Sequence, residues 1–343
     1  MGWVTLFAMD KRFVGKLLAV LGATLVATSI SVGALASAAV PQAPKTNPGQ
    51  GLEISPPLIE LTANPGQTVT TQIRVRNVTN GALQVTGEAD DFGANSDESG
   101  TPQIFINEQG ETRYSLKYWI SDVPNLLLAP QELKTNMITI NVPANAEPGG
   151  HYGVVRFTGV PAGIGATSGV SLSASVGALI LLTVNGDITH QLNTIQFAAG
   201  NATAADSDVK VAGFFEHGPI SFLVRLQNNG SVHEAPHGSI VMKNAVFGPS
   251  QTLAVNANGG NVLPASIRRF VQTMPNKMLF GFYTAKLSMV YDGNKTLVAN
   301  TSFWVIPWKL ILLVLVGLLV LGYLLKIGIR KYNEHIIAMA RRR

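Results

Sequence analysis

The sequence predicts an all-β protein: two tandem Ig-like antiparallel β-sandwiches followed by one C-terminal transmembrane helix. Three observations carry this expectation. Apolar and polar residues alternate at period two along many short runs, as a half-buried strand requires. Turn residues separate those runs at intervals of about 8–15 residues, with no convincing amphipathic helix between them. A charge-free run, Leu310–Leu325, lies near the end of the chain.

The ends are read first, because they are not part of the sandwiches. Lys11, Arg12 and Lys16 precede an apolar run from Leu17 to Leu35, and Ala36-Ser37-Ala38 forms an A-x-A cleavage site. Residues 1–38 therefore read as a secretory signal peptide. Residues 39–51, which include PQAPKTNPGQG, have no periodicity and read as a linker.

Residues 52–186 are expected to form the first sandwich. Thr68–Val78 alternates, with Val69, Thr71, Ile73 and Val75 on one face. Thr79-Asn80-Gly81 reads as a hairpin turn that returns the chain as a strand over Ala82–Ala89. Further strands are expected at 58–62, 102–106, 114–121, 135–142, 151–159 and 170–185. Residues 187–305 are expected to form the second, membrane-proximal sandwich. Its strands fall at 188–198, 209–214, 219–227, 239–244, 251–256, 267–273, 281–291 and 296–305.

The last strand runs directly into Pro307. Leu310–Leu325 alone covers about 24 Å at a rise of ~1.5 Å per residue. Lys309 and Lys326 can snorkel, while Trp304, Trp308 and Tyr323 suit the interfaces, so the working span is 306–326. The basic tail, 327–343, is expected to be cytoplasmic and to lie near anionic headgroups, leaving the sandwiches outside.

Charge limits the functional classes. Residues 40–305 carry 15 basic and 18 acidic side chains, so the sequence pI near 9.4 comes from the ends. Nucleic-acid binding by the folded part is not indicated. An exported chain without cysteine fits a bacterial cell surface.

The one phrase with a catalytic spelling is His233-Glu234-Ala235-Pro236-His237, which matches HExxH. A zinc peptidase needs both histidines on one face of a helix, with the glutamate as general base. Pro236 lacks an N–H and would clash with the carbonyl of Val232 at a cost of about 3 kcal/mol. Turn residues flank the phrase on both sides. A strand–loop–strand connection is expected, and no catalytic residue is assigned.

Two weaker sites remain. The loop Asp90–Gly100 offers Asp90, Asp91, Asn95 and Asp97 as oxygen ligands suited to calcium, although their spacing is not that of an EF-hand. A solvated turn guarding a sheet edge is the alternative. Within the expected strand 114–121, Lys117 and Trp119 share a face, and an aromatic beside a cation suits a glycan ring; a core tryptophan is the competing reading. Gly159–Gly169 is an uncharged loop that could serve as a contact tip and lacks the lysine of a phosphate loop.

Ser55-Pro56-Pro57-Leu58-Ile59-Glu60-Leu61, Asn64-Pro65-Gly66, Ile73-Arg74-Val75-Arg76-Asn77 and Val142–Tyr152 together resemble the first domain of the WxL-interacting proteins of Gram-positive cell surfaces. That family is built as signal peptide, two Ig-like domains, one membrane helix and a basic tail. The resemblance implies a peptidoglycan-binding first domain and a second domain engaging WxL proteins or host components, with no residue-level site carried over. The expected function is thus a non-catalytic, membrane-anchored surface protein that binds cell wall or surface proteins. A chaperone-like platform pairing strands with exported proteins is the alternative, and a zinc-dependent peptidase a third reading.

Overall fold

The computed structural model describes residues 51–162, 173–202, 209–246, 248–276 and 278–340. The expected signal peptide, all of the linker but Gly51, most of the loop Gly159–Gly169 and the last three arginines lie outside the described residues.

The strands up to Val184 form two facing sheets. They are β1 (Leu52–Ser55), β2 (Leu58–Ala63), β3 (Thr68–Asn77), β4 (Leu83–Ala94), β5 (Pro102–Phe105), β6 (Leu126–Leu128), β7 (Leu133–Asn141), β8 (Gly149–Pro161) and β9 (Ala174–Val184). One sheet has the order β1-β3-β7; the other runs β2-β9-β8-β4-β5, with β6 also on β4. The alternation in β3 buries Ile73 and Val75 against Ile138 and Ile140 of β7 and Val155, Phe157, Ile180 and Leu182 of the facing sheet. β8 and β9 carry apolar residues on both faces around Tyr152–Val155 and Leu179–Leu182, where one face meets this core and the other the second sandwich.

Two expectations fail here. The turn at 79–81 does not close a hairpin: β3 pairs with β1 and β7, and β4 pairs with β8, β5 and β6, so the chain changes sheets. The cause is Asn77, whose side chain is fully buried. Its Nδ2 donates to the carbonyls of Gly81, Leu128 and Ala129, while its Oδ1 accepts from the Thr79 N–H and Oγ1. Residues 114–121 form no strand either. They hold isolated bridges at Ser115 and Ile120 and, between them, one turn of 3-10 helix, Lys117–Trp119, fixed by Asp91 Oδ1 accepting the N–H groups of Leu116 and Lys117. Period-two alternation alone could not foresee that buried acceptor.

The second set comprises β10 (Leu192–Ala202), β11 (Val209–Val211), β12 (Phe214–Phe215), β13 (Ile220–Asn228), β14 (His237–Asn244), β15 (Gln251–Val255), β16 (Ile267–Met274), β17 (Gly281–Tyr291) and β18 (Lys295–Val305). The sheets are β11-β10-β13-β16 and β12-β18-β17-β14-β15. Expected strand 209–214 is therefore two short strands in different sheets. Between the sheets, Phe222, Leu226, Ile240, Leu287 and Phe303 build a separate core. Asn228 repeats the corner device of Asn77: fully buried, it donates to the carbonyls of Val232 and Val262 and accepts from the Gly230 N–H.

Two residues after β18 the chain enters α1 (Trp308–Ala340), 33 residues long and exposed along its whole length. Its most apolar 18-residue window has a mean hydropathy of 2.8, so the helix is long and apolar enough to cross a membrane. It continues well past the expected end at 326, carrying most of the basic segment in helical form.

Candidate functional site

The first sandwich meets the second along β8, the end of β4 and the loops around 98, 231 and 261. Backbone contacts define the seam: the Gly150 N–H donates to Ser231 O at 2.8 Å, and the Arg269 N–H donates to Glu98 O at 2.9 Å. Side chains add to it. Glu98 accepts two hydrogen bonds from the Arg225 guanidinium, one of them at 2.7 Å from Nε, and Asn261 Nδ2 donates to Glu60 Oε1 at 2.8 Å. The guanidinium beside Glu98 holds that carboxyl below its ordinary range.

Tyr152, the fourth residue of β8, is the apolar centre of the seam. It is 2% exposed, packs edge-on against Phe92 and His233, and places its hydroxyl 3.4 Å from His233 Nδ1. Burial pushes its phenol up and pushes the His233 imidazole down. His151 is likewise held down by burial, with its ring against Trp119 at 4.2 Å between centroids.

Beside Tyr152 the seam opens into a cleft of about 200 Å³. Leu58, Leu179 and Leu181 of the first sandwich and Leu263 and Ile267 of the second supply its apolar walls. Arg268 supplies its cation. Nη1 of Arg268 donates to Asn261 O at 2.6 Å, and the guanidinium lies 5.2 Å from the Phe270 ring centre. Nε is buried with no hydrogen-bond partner, and among the described residues no carboxylate pairs with the group. The guanidinium fits because Gly100, at φ +82°, and Gly260 flank it; a Cβ at either position would collide with it. Burial lowers its pKa from the usual arginine value. An apolar cleft with one under-partnered planar cation is suited to hold a carboxylate carrying an apolar neighbour.

The residues singled out by sequence fall elsewhere. Asp90 and Asp91 are consecutive in β4 and point to opposite faces: Asp90 pairs with Arg156 at 3.1 Å, Asp91 anchors the 3-10 turn. Asn95 and Asp97 cap the following turn, Asp97 Oδ1 accepting from the Ser99 N–H. Among the described residues no group of three His, Cys, Asp or Glu is placed to hold a metal, and Asp90 and Asp91 are committed to Arg156 and to the 3-10 turn, away from Asn95 and Asp97. Trp119 is buried and offers no free face; the exposed ring beside a cation is Tyr118, 4.9 Å from Lys117 Nζ. Lys117 Nζ also donates to Glu108 O at 2.5 Å.

The HExxH residues form no helix. Glu234 pairs backbone groups with Val262, and His237 begins β14, so His233 and His237 share no helical face. Glu234 is 4% exposed and accepts from His190 Nδ1 at 2.6 Å, in a cluster with Asp292 and Lys295; burial raises its pKa. Sequence reasoning missed Tyr152, Arg268 and the seam role of His233. The pair Arg268-Arg269 in an otherwise alternating strand was the available signal.

Two buried neutral histidines carry a pH dependence. Their folded pKa values lie below the unfolded value of about 6.5, so the stability they confer is present above that pH and is lost as pH falls through and below it. Glu234, raised by burial, acts with the opposite sign over the carboxylate range. Thermal melts of the full chain in detergent are expected to show a lower Tm at pH 5.5 than at 7.5, with a smaller drop for His233→Gln. An equal drop in that variant would remove His233 from the account.

No family model matches this chain, and no curated protein matches it. Solved structures are similar in outline. A Class 5 fimbriae chaperone, CfaA, is 14% identical with a TM-score of 0.36, covering 73% of this chain and 99% of its own. The E. coli chaperone DraB is 11% identical with a TM-score of 0.32, covering 73% and 98%. A chain of the Salmonella enterica SafA pilin–SafB chaperone complex is 9% identical with a TM-score of 0.33, covering 75% and 97%. At these values no role passes from them to this chain, and the reading of its function rests on its own geometry.

Proposed function

We propose that this chain is a non-catalytic, membrane-anchored surface protein that binds cell wall or a surface protein with its two sandwiches, held outside by α1. The partner classes follow the resemblance to WxL-interacting proteins: peptidoglycan for the first sandwich, a WxL-type or host protein for the second. The observation that supports the reading is the cleft between the sandwiches, where Arg268 keeps a buried Nε unpaired among apolar walls. An orphaned buried donor costs about 1–3 kcal/mol, which an acidic ligand group would recover.

The test is co-sedimentation of the full chain, in detergent, with purified peptidoglycan at low and physiological salt. Binding that falls at least about tenfold in Arg268→Ala, or about 1.4 kcal/mol, is the expected result. No pelleting at either salt sinks the cell-wall role.

A second reading, strand pairing with an exported protein, has its own support. β7 is an edge strand, and its Leu133 and Met137 are more than half exposed. Open edges with apolar side chains are templates for an added strand. Thr135→Pro, placed in that edge, would abolish such pairing while leaving peptidoglycan binding intact.

A further inference from the structure

The connections of the second sandwich that surround the root of α1 share one character. Gly281 pairs with Val305, so residues 278–280, which lead into β17, lie beside the helix start. Asn244, the last residue of β14, pairs with Tyr283, and its Nδ2 donates to Phe280 O, which brings Ala245 and Val246 to the same end. β12 runs parallel beside Trp304 and Val305, so Glu216 and the residues after it also point that way. The β17–β18 turn, by contrast, lies at the far end.

This end exposes large apolar side chains among polar ones such as Asn276 and Lys309. Met278 is 97% exposed and Val246 81%, while Phe214, Phe280, Trp304 and Trp308 are each about half exposed. The Phe282 and Trp304 rings pack at 4.9 Å between centroids. Monomeric soluble surfaces seldom gather exposed apolar groups in this way, and such a patch marks an interaction site.

The same end is fixed to the helix. Ile306 N–H donates to Phe215 O at 2.8 Å, Trp304 N–H donates to Gly213 O at 2.9 Å, and Lys309 Nζ lies 2.9 Å from Glu216 Oε2. With only Ile306 and Pro307 between β18 and α1, a helix in the bilayer leaves these loops within the ~5–10 Å of the headgroup boundary. The bilayer then occupies the space that a protein partner would need.

We propose that this end of the second sandwich is a second lipid-binding surface, bedded in the outer-leaflet interface through Val246, Met278, Phe280 and the aromatic residues beside them. The ligand is the glycerophospholipid headgroup and upper acyl region. Aromatic side chains favour that layer, and tethering by α1 makes the second contact intramolecular, so modest apolar burial suffices. The sandwiches would thereby stand at a set angle to the membrane. This inference rests on the reading of α1 as a spanning helix.

The absence of cysteine from the chain makes the test clean. Single-cysteine variants of the full chain at Val246, Met278, Leu318 and Asn294 are labelled with an environment-sensitive fluorophore and reconstituted into vesicles of phosphatidylcholine and phosphatidylglycerol carrying spin-labelled lipid. Leu318 lies mid-helix and Asn294 in the distal turn. Blue-shifted emission and loss of most of the signal at Val246 and Met278, with water-like emission at Asn294, is the expected result. Water-like, unquenched emission at Val246 and Met278 with quenching at Leu318 overturns the surface and leaves the span. Blue-shifted but unquenched emission there means a protein covers the patch, and also overturns the proposal. An unquenched Leu318 overturns the spanning reading itself.

Discussion

Asn77→Ala is expected to destabilise the first sandwich by about 3 kcal/mol and to lower its melting temperature by roughly 10 °C. The side chain is fully buried and satisfies three carbonyls and two donors at the corner where the chain leaves one sheet for the other. Alanine supplies neither function. The carbonyl of Leu128 is buried at this corner, and water would have to enter to reach it; that of Ala129 is partly exposed and also accepts the Glu132 N–H. Asn77→Asp is a sharper test than alanine. It keeps the acceptor for Thr79 but replaces the NH2 group with a carboxylate oxygen facing carbonyls, so it is expected to be at least as harmful. Calorimetry of the full chain checks both; a loss below about 1 kcal/mol in each would mean that the corner relaxes and the carbonyls find water. Asn228 makes the corresponding contacts in the second sandwich, and its alanine variant is expected to act on that sandwich by a similar amount.

The strand pattern was legible for a simple reason. Each strand that sits with one face on a core must alternate, and β3, β7, β17 and β18 do so at nearly the expected positions. What failed were features set by single buried polar side chains. Asn77 turns an apparent hairpin into a change of sheet, and Asp91 turns an alternating run into a 3-10 turn. Neither leaves a periodic trace, because the contacts that tie each residue to a distant part of the chain, Leu128 and Ala129 for Asn77 and Leu116 and Lys117 for Asp91, lie 25 to 52 residues away. β1 and β6 escaped notice because three or four residues carry too little alternation to stand out.

The candidate site was less legible than the fold. The acidic run Asp90–Gly100 drew attention as a metal loop, yet its useful member is Glu98, which ties the first sandwich to Arg225 of the second. HExxH drew attention as chemistry, and Pro236 sufficed to remove the helix. The structural use of the phrase is different: His233 meets Tyr152 across the seam, and Glu234 meets His190. A seam between two sandwiches joins residues with no common local pattern, so composition and spacing could not assemble it. Arg268 shows the limit most clearly, since its environment depends on two glycines, one from each sandwich.

Tyr152→Ala is expected to have the largest effect of any single change at that seam, and to have it in two separable ways. Tyr152 is almost fully buried and packs against Phe92, Tyr114 and His233, so truncation leaves a cavity and costs about 3–5 kcal/mol. It also removes a side chain of β8 that meets His233 of the second sandwich, leaving Glu98–Arg225, Glu60–Asn261, the packing of Leu263 and the backbone bonds to hold the pair. The Glu98–Arg225 ion pair and the Glu60–Asn261 hydrogen bond are both partly exposed, and neither replaces the lost apolar packing. The relative orientation of the sandwiches is therefore expected to loosen. Spin labels at Gln103→Cys and Asn294→Cys of the full chain, one in each sandwich, read this directly as a broadened distance distribution. Tyr152→Phe separates packing from hydrogen bonding: it keeps the ring and loses only a hydroxyl contact of 3.4 Å, so stability is expected to fall by no more than about 1 kcal/mol with the distribution unchanged. If phenylalanine broadened the distribution as alanine does, the hydroxyl–imidazole contact, and with it the protonation state of His233, would govern how the two sandwiches are held. If alanine left it narrow, the backbone bonds at Gly150 and Arg269 would suffice to hold the two sandwiches together.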